Sequence, residues 1–163
     1  MQPIATWQWQ TCSPEKTHAL GVGLGQCALP GDFVACYGPL GAGKTVLVQG
    51  LAEGLEVDTA AYVRSPTFTL LHEYRARIPI YHFDFYRISY VEELQDIGFE
   101  EYLDASGVVI VEWADKFPEL LPESRLDLRI QIHPTEIRNI QGLVYHSAYL
   151  RYGVSMPESV CWL

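Results

Sequence analysis

Several features are missing from this sequence, and each absence removes a class of function. No apolar run reaches the roughly 18 residues that a membrane-crossing helix needs, so no membrane role is expected. The N-terminal stretch MQPIATWQWQ lacks the basic start and apolar block of a secretion signal. The four cysteines, Cys12, Cys27, Cys36 and Cys161, show neither C-x-x-C pairing nor zinc-finger spacing. Reduced thiols in a cytoplasmic protein are the expectation. Basic residues are scarce: eleven Lys and Arg stand against twenty Asp and Glu, a formal net charge of −9. A broad nucleic-acid surface needs clustered Lys and Arg. No DNA binding is therefore expected, and at most a small local basic patch remains open.

What is present is globular in character. Apolar residues make up 48% of 163 residues, with ten tyrosines and four tryptophans. That length suits one domain with a core of its own. Charge is uneven along the chain. Arg64, Arg75, Arg77 and Arg87 share one central stretch, while no Lys or Arg falls between Ile88 and Ala114. That acidic span carries Glu92, Glu93, Asp96, Glu100, Glu101, Asp104 and Glu112. It reads as a solvated helical face or as a docking surface for a basic partner.

Local signals give an alternation of helices and strands. Ser13-Pro14 marks a helix start, with Ser13 as N-cap and Pro14 in the first turn. This helix is expected to run to about Leu29, where Pro30-Gly31-Asp32 makes a turn. The run FVACY (33–37) predicts a buried strand, and KTVLVQGLAEGL (44–55) an amphipathic helix. Residues 65–75 open as a loop and pass into a strand, and 78–88 form another. Residues 91–103 predict one or two short helices. The β-branched run GVVIVEW (107–113) predicts a strand covered on both faces. Residues 125–133 alternate as a half-exposed strand, and 140–149 predict a weaker one. The expectation is a single-domain α/β P-loop fold with a mixed, mostly parallel central sheet flanked by helices. The domain is expected to span 1–150, with 151–163 a C-terminal tail or late docking element.

The stretch GPLGAGKT (38–45) carries the chemistry. It fits G-x-x-x-x-G-K-[ST], the P-loop, and lies between a predicted strand and a predicted helix, as that motif requires. Small side chains at Gly38, Gly41, Ala42 and Gly43 let backbone N–H groups curl around a phosphate. Lys44 supplies a charge at the β- and γ-phosphates, and Thr45 offers a hydroxyl to Mg²⁺. ATP and Mg²⁺ are therefore the expected ligands. A P-loop also needs a carboxylate on the Mg²⁺ side. Glu112 ends the run VVIVE, and Asp84 sits in YHFDFY. Mg²⁺ keeps several waters, so one acid can bind it while the other orients water, and the residues alone leave the assignment open. His82 and Asp84 form H-x-D on one strand face. This is either a metal pair of a hydrolase or a packed, hydrogen-bonded histidine beside an acid. In SPTFTL (65–70), Thr67 stands where P-loop switches place a threonine that senses the γ-phosphate; an ordinary serine–threonine turn fits the same residues.

These motifs together resemble a known family. Thr17, Leu20 and Gly21 in T-x-x-L-G, then GPLGAGKT, SPTFTL, YHFDFYRI, LQDIGFEEYL and VVIVEWADK occur in one order over about residues 13–138. The chain is similar in this to the TsaE (YjeE) family of small bacterial P-loop ATPases. That family takes part in making N6-threonylcarbamoyladenosine at position 37 of tRNAs that read ANN codons. The resemblance implies that residues 38–45 bind ATP phosphates, that Thr45 and Glu112 serve Mg²⁺, and that Asp84 lies near metal and attacking water. It implies that Thr67 belongs to a switch-like segment, that Thr17 and Ser13 line the adenine end, and that Arg138 approaches from the late strands. It also implies TsaD and TsaB as partners, with tRNA met only through that complex. Other readings stay in view. A small-molecule kinase needs an arginine-bearing lid, and only Arg125, Arg129, Arg138 and Arg151 lie beyond residue 110. A GTPase needs N-K-x-D, which is missing. A nucleotide-binding scaffold without turnover has the same residues as a slow ATPase.

Overall fold

A computed structural model describes residues 2–58, 60–134, 136–153 and 161–162. In chain order its strands are β1 (Ala5–Thr11), β2 (Phe33–Tyr37), β3 (Leu71–Tyr74), β4 (Ile80–Asp84), β5 (Val108–Glu112), β6 (Leu126–Ile132), β7 (Arg138–Val144) and β8 (Cys161–Trp162). The helices are α1 (Pro14–Cys27), α2 (Lys44–Gly54), α3 (Val91–Asp96) and α4 (Phe99–Leu103). The strands form one sheet in the order β3-β4-β5-β2-β6-β7-β1-β8. Its centre, β4-β5-β2-β6, is parallel, and antiparallel strands extend it on both sides. This is the expected single α/β domain with a mixed sheet and a parallel core. Among the described residues no helix is long and apolar enough to cross a membrane.

The central strands are apolar at successive positions because both faces are covered. Val34 and Cys36 of β2 face one layer, packed with Leu20, Leu24, Leu47 and Leu51 of α1 and α2. Phe33 and Ala35 of the same strand face the other, with Phe83, Phe85, Phe99 and Val111. Edge-to-face rings at Phe83–Phe99 and Phe85–Phe99 fasten α4 to this second layer.

Helix α1 starts as expected: the Ser13 hydroxyl accepts the Lys16 N–H and Pro14 fills the first turn. It ends at Cys27 rather than near Leu29 because the Asp32 carboxylate takes the Leu29 N–H at 2.8 Å, while Ala28 is already extended. Helices α1 and α2 then cross in backbone contact. A Cβ on Gly21 would stand 2.3 Å from the Leu47 carbonyl oxygen, and one on Gly50 would stand 2.1 Å from that of His18. Only glycine permits this approach, which locks the helix that begins with Lys44 against α1.

Strand β1 has no counterpart among the expected elements, although A-T-W-Q-W-Q-T alternates strictly. Its Trp9 is buried and its full length pairs antiparallel with β7. The weak strand expected at 140–149 begins earlier, at Arg138, and gives way to a 3-10 segment over Ser147–Gly153. That segment is fastened to the base of β2. Arg151 and Tyr152 both donate to Asp32, the Arg151 Nε donates to the Cys27 carbonyl at 2.8 Å, and the Tyr149 hydroxyl accepts the Phe33 N–H at 2.9 Å. Most of the tail expected from residue 151 onward, 154–160 and 163, lies outside the described residues. The acidic span is not one uniform face: the Glu93 carboxylate accepts the N–H groups of Ser89 and Tyr90 at the start of α3, and Glu112 is buried.

Candidate nucleotide site

The site forms where the parallel strands end. Register places Cys36 beside Glu112 and Glu112 beside Asp84, so β2, β5 and β4 finish side by side. In open α/β sheets this carboxyl edge is where ligands bind. Immediately after β2 the chain turns at Gly38, whose φ is +147°. A Cβ there would come within 2.6 Å of the Ile130 carbonyl oxygen, so the turn is closed to other residues. Gly43, with φ +101°, caps α2, whose first-turn N–H groups and positive dipole end open onto the loop. On the outer side a Cβ at Gly41 would meet nothing within 4 Å. The loop is thus an open cradle of backbone donors.

Lys44 lies inside that loop. Its Nζ donates to the carbonyls of Gly38 (2.6 Å) and Pro39 (2.9 Å) and stands 3.6 Å above the Trp113 ring. Burial pushes its pKa below the ordinary lysine value, and the Glu112 carboxylate pulls the other way. Trp113 reaches this position through a left-handed backbone, φ +59°, directly after β5. Such a conformation costs a bulky residue on the order of 1–3 kcal/mol and is common at functional sites.

The two candidate acids have different surroundings. The Thr45 hydroxyl donates to both Glu112 oxygens, at 3.1 and 3.0 Å, and the His82 Nε2 lies 2.9 Å from Glu112 Oε1. Asp84 is held by the 65–70 segment instead. Its Oδ2 accepts from the Ser65 hydroxyl and from Thr67 Oγ1 at 2.9 Å, and its Oδ1 accepts the Tyr86 N–H at 2.8 Å. Lys44, Thr45, Thr67, Asp84, Glu112 and Trp113 all line one cleft of about 360 Å³.

The other expected residues lie outside that lining. Ser13 caps α1, and Thr17 bonds Thr11 at 2.6 Å. The Thr17 methyl would be 3.8 Å from a Cβ on Gly43, so it adjoins the loop from behind. Arg138 opens β7 opposite Thr11 and donates to the Glu136 carbonyl. Arg87, next to the acid strand, places its guanidinium 4.2 Å above the Phe68 ring rather than in the cleft.

The residues suit a nucleotide with Mg²⁺. A hydroxyl and carboxylates are hard oxygen donors. Among the described residues no group of three or more His, Cys, Asp or Glu could hold a metal by itself, so the hydrolase reading of His82 and Asp84 finds no further ligands there. The family model for "Threonylcarbamoyl adenosine biosynthesis protein TsaE" matches residues 11–140.

The chain belongs to the TsaE family. Curated relatives carry the name tRNA threonylcarbamoyladenosine biosynthesis protein TsaE. The Bacillus subtilis (strain 168) protein is 42% identical over 125 residues, spanning 76% of this chain and 77% of its own. That of Treponema pallidum (strain Nichols) is 37% identical over 120 residues, spanning 74% of this chain and 87% of its own. The crystal structure of Bacillus subtilis YdiB superposes with a TM-score of 0.80 at 33% identity, covering 94% of this chain and 95% of that one.

Three contributions to this TsaE-family site were not assigned from sequence: Ser65 on Asp84, the Trp113 ring under Lys44, and the link from His82 to Glu112. The alternation H-x-D does put His82 on the face of Asp84. The identity of its partner depends on how β4 and β5 align, which local pattern does not encode.

Proposed function

We propose that this protein binds ATP with Mg²⁺ and hydrolyses it in the service of tRNA threonylcarbamoyladenosine formation, acting on the TsaD–TsaB pair. The observation that carries the reading is the meeting, in one cleft, of the P-loop, the Thr45–Glu112 pair and an Asp84 carboxylate held by Ser65 and Thr67. The backbone of 41–45 and Lys44 would hold the phosphates. Thr45 and Glu112 would hold Mg²⁺, which when bound supplies neutralisation of charge on the phosphoryl oxygens. Asp84 accepts one hydrogen bond on Oδ1, so that oxygen keeps a lone pair for the proton of a water. The fixed carboxylate orients that water in line with the phosphoryl group. Lys44 spends two of its three N–H donors on the Gly38 and Pro39 carbonyls, which leaves the third for a phosphate oxygen.

No arginine reaches the cleft from this chain among the described residues, and Arg87 is engaged with Phe68. Slow turnover alone and faster turnover with partners follow from that. The net charge of −9 supports contact with tRNA through the complex rather than directly. Cys12, Cys27 and Cys36 are unpaired thiols, which supports a reducing, cytoplasmic setting. The test is phosphate release from ATP and Mg²⁺ with and without TsaD and TsaB, beside a calorimetric titration of ATP. Turnover that rises with the partners supports the reading; tight ATP binding without turnover in either mixture replaces it with a nucleotide-binding scaffold.

A further inference from the structure

His82 is a buried histidine that the steps above do not use. It lies on β4 between Ile80 and Asp84, wholly out of solvent. Its Nε2 is 2.9 Å from Glu112 Oε1, and its Nδ1 is buried with no hydrogen-bond partner among the described residues. A neutral imidazole has a single N–H. With that hydrogen on Nε2, the ring donates to Glu112 and leaves Nδ1 as an orphaned acceptor.

Packing alone does not favour such a residue. Leucine would fill a similar volume on the same face of β4 without burying an unpaired nitrogen, which is destabilising. Among the described residues the one hydrogen bond of the ring is to Glu112. That contact has a defined consequence for the carboxylate. Oε1 accepts from both His82 and Thr45, whereas Oε2 accepts from Thr45 only. The group is therefore pinned about its last torsion, and Oε2 keeps the greater unused acceptor capacity.

We propose that His82 is a positioning residue, which orients the Glu112 carboxylate to receive the divalent cation of the nucleotide complex. The inference rests on the Mg²⁺-nucleotide reading of the cleft. Partners that orient a ligating group in this way typically contribute about 10- to 100-fold in metal affinity.

The experiment measures Mn²⁺, as a stand-in for Mg²⁺, binding to the protein–ADP complex by its EPR signal. ADP affinity is measured separately in EDTA, and thermal unfolding checks the fold of each variant. In His82→Leu, Mn²⁺ affinity is expected to fall about 10- to 100-fold while ADP affinity in EDTA stays at the wild-type value. His82→Gln, which keeps an N–H near the position of Nε2, is expected to recover most of the loss. Wild-type Mn²⁺ affinity in His82→Leu would overturn the proposal. So would an equal loss in the Leu and Gln variants, because ring shape rather than the N–H would then set the carboxylate. If the wild-type protein with ADP takes up no Mn²⁺ at all, the Mg²⁺-nucleotide reading itself falls, and the role of His82 with it.

Discussion

Replacing Gly21 with alanine tests how the P-loop helix is held. The new Cβ would stand 2.3 Å from the Leu47 carbonyl oxygen and 2.9 Å from the Gly50 Cα. Ordinary van der Waals contact begins near 3.4 Å, so α1 and α2 must part by about 1 Å at the crossing. Overpacking costs about 1–3 kcal/mol. The obstacle here is backbone, which no rotamer change can move, so the upper part of that range applies. Alanine returns up to about 1 kcal/mol through helix propensity and chain entropy. The net expectation is a loss of about 1–2 kcal/mol, or a fall in Tm of about 2–8 °C for a chain of this size. Gly50→Ala opens the same gap, so the double variant should lose less than the sum of the two. Differential scanning calorimetry of the three variants measures both quantities. Because α2 begins with Lys44 and Thr45, ATP affinity should fall with the shift. A Gly21→Ala protein as stable as the parent, or strict additivity with Gly50→Ala, would refute the argument that this crossing is closed by backbone contact.

Three further outcomes are expected. Asp84→Asn should leave ATP binding in place and reduce turnover about 10²- to 10⁴-fold, read as single-turnover phosphate release; an unchanged rate would remove Asp84 from the reaction. Arg151→Ala should cost about 2–3 kcal/mol in urea unfolding, since it leaves the buried Asp32 carboxylate with only neutral donors; a change below 0.5 kcal/mol would show that the Ser147–Gly153 segment does not clamp β2. Burial raises the pKa of Tyr37, Tyr145, Tyr149 and Tyr152 above the usual 10.0. Each holds its proton more tightly folded than unfolded, so its contribution is intact below pH 10 and is lost as pH rises beyond it. Tyr74, Tyr102 and Cys36 are raised as well and add to the loss, whereas Lys44, with a lowered value, acts in the opposite sense. Urea midpoints should therefore drop steeply above about pH 10, and a flat profile to pH 11.5 would contradict the burial of these hydroxyls.

The parts of the site legible in the sequence are those written in short, contiguous patterns. GPLGAGKT encodes its own loop, FVACY and VVIVE read as strands because both their faces are covered, and Ser13-Pro14 starts a helix by local hydrogen bonding alone. Thr67 and Asp84, singled out separately in the sequence, meet in one hydrogen bond. Legibility fails where a role depends on pairing between distant segments. β1 alternates clearly, yet its place is set by β7, more than a hundred residues later. His82 reads only as half of H-x-D until β4 and β5 align and bring Glu112 beside it. The tight α1–α2 crossing was invisible for a similar reason: G-x-x-x-G occurs in both helices, but only their mutual approach makes Gly21 and Gly50 necessary. Arg138 enters through the resemblance alone, and its position opposite Thr11, away from the cleft lining, is likewise a matter of sheet register.

The most direct test of the central claim is steady-state ATP hydrolysis with Mg²⁺ by the wild-type protein, Lys44→Ala and Glu112→Ala, each alone and with TsaD and TsaB. The account predicts slow turnover by the wild type, a clear increase when the two partners are added together, and loss of both in either variant. Partner-stimulated turnover that survives Glu112→Ala would contradict the role given to the Thr45–Glu112 pair, and no turnover by the wild type under any condition would contradict the reading of this cleft as an ATPase site.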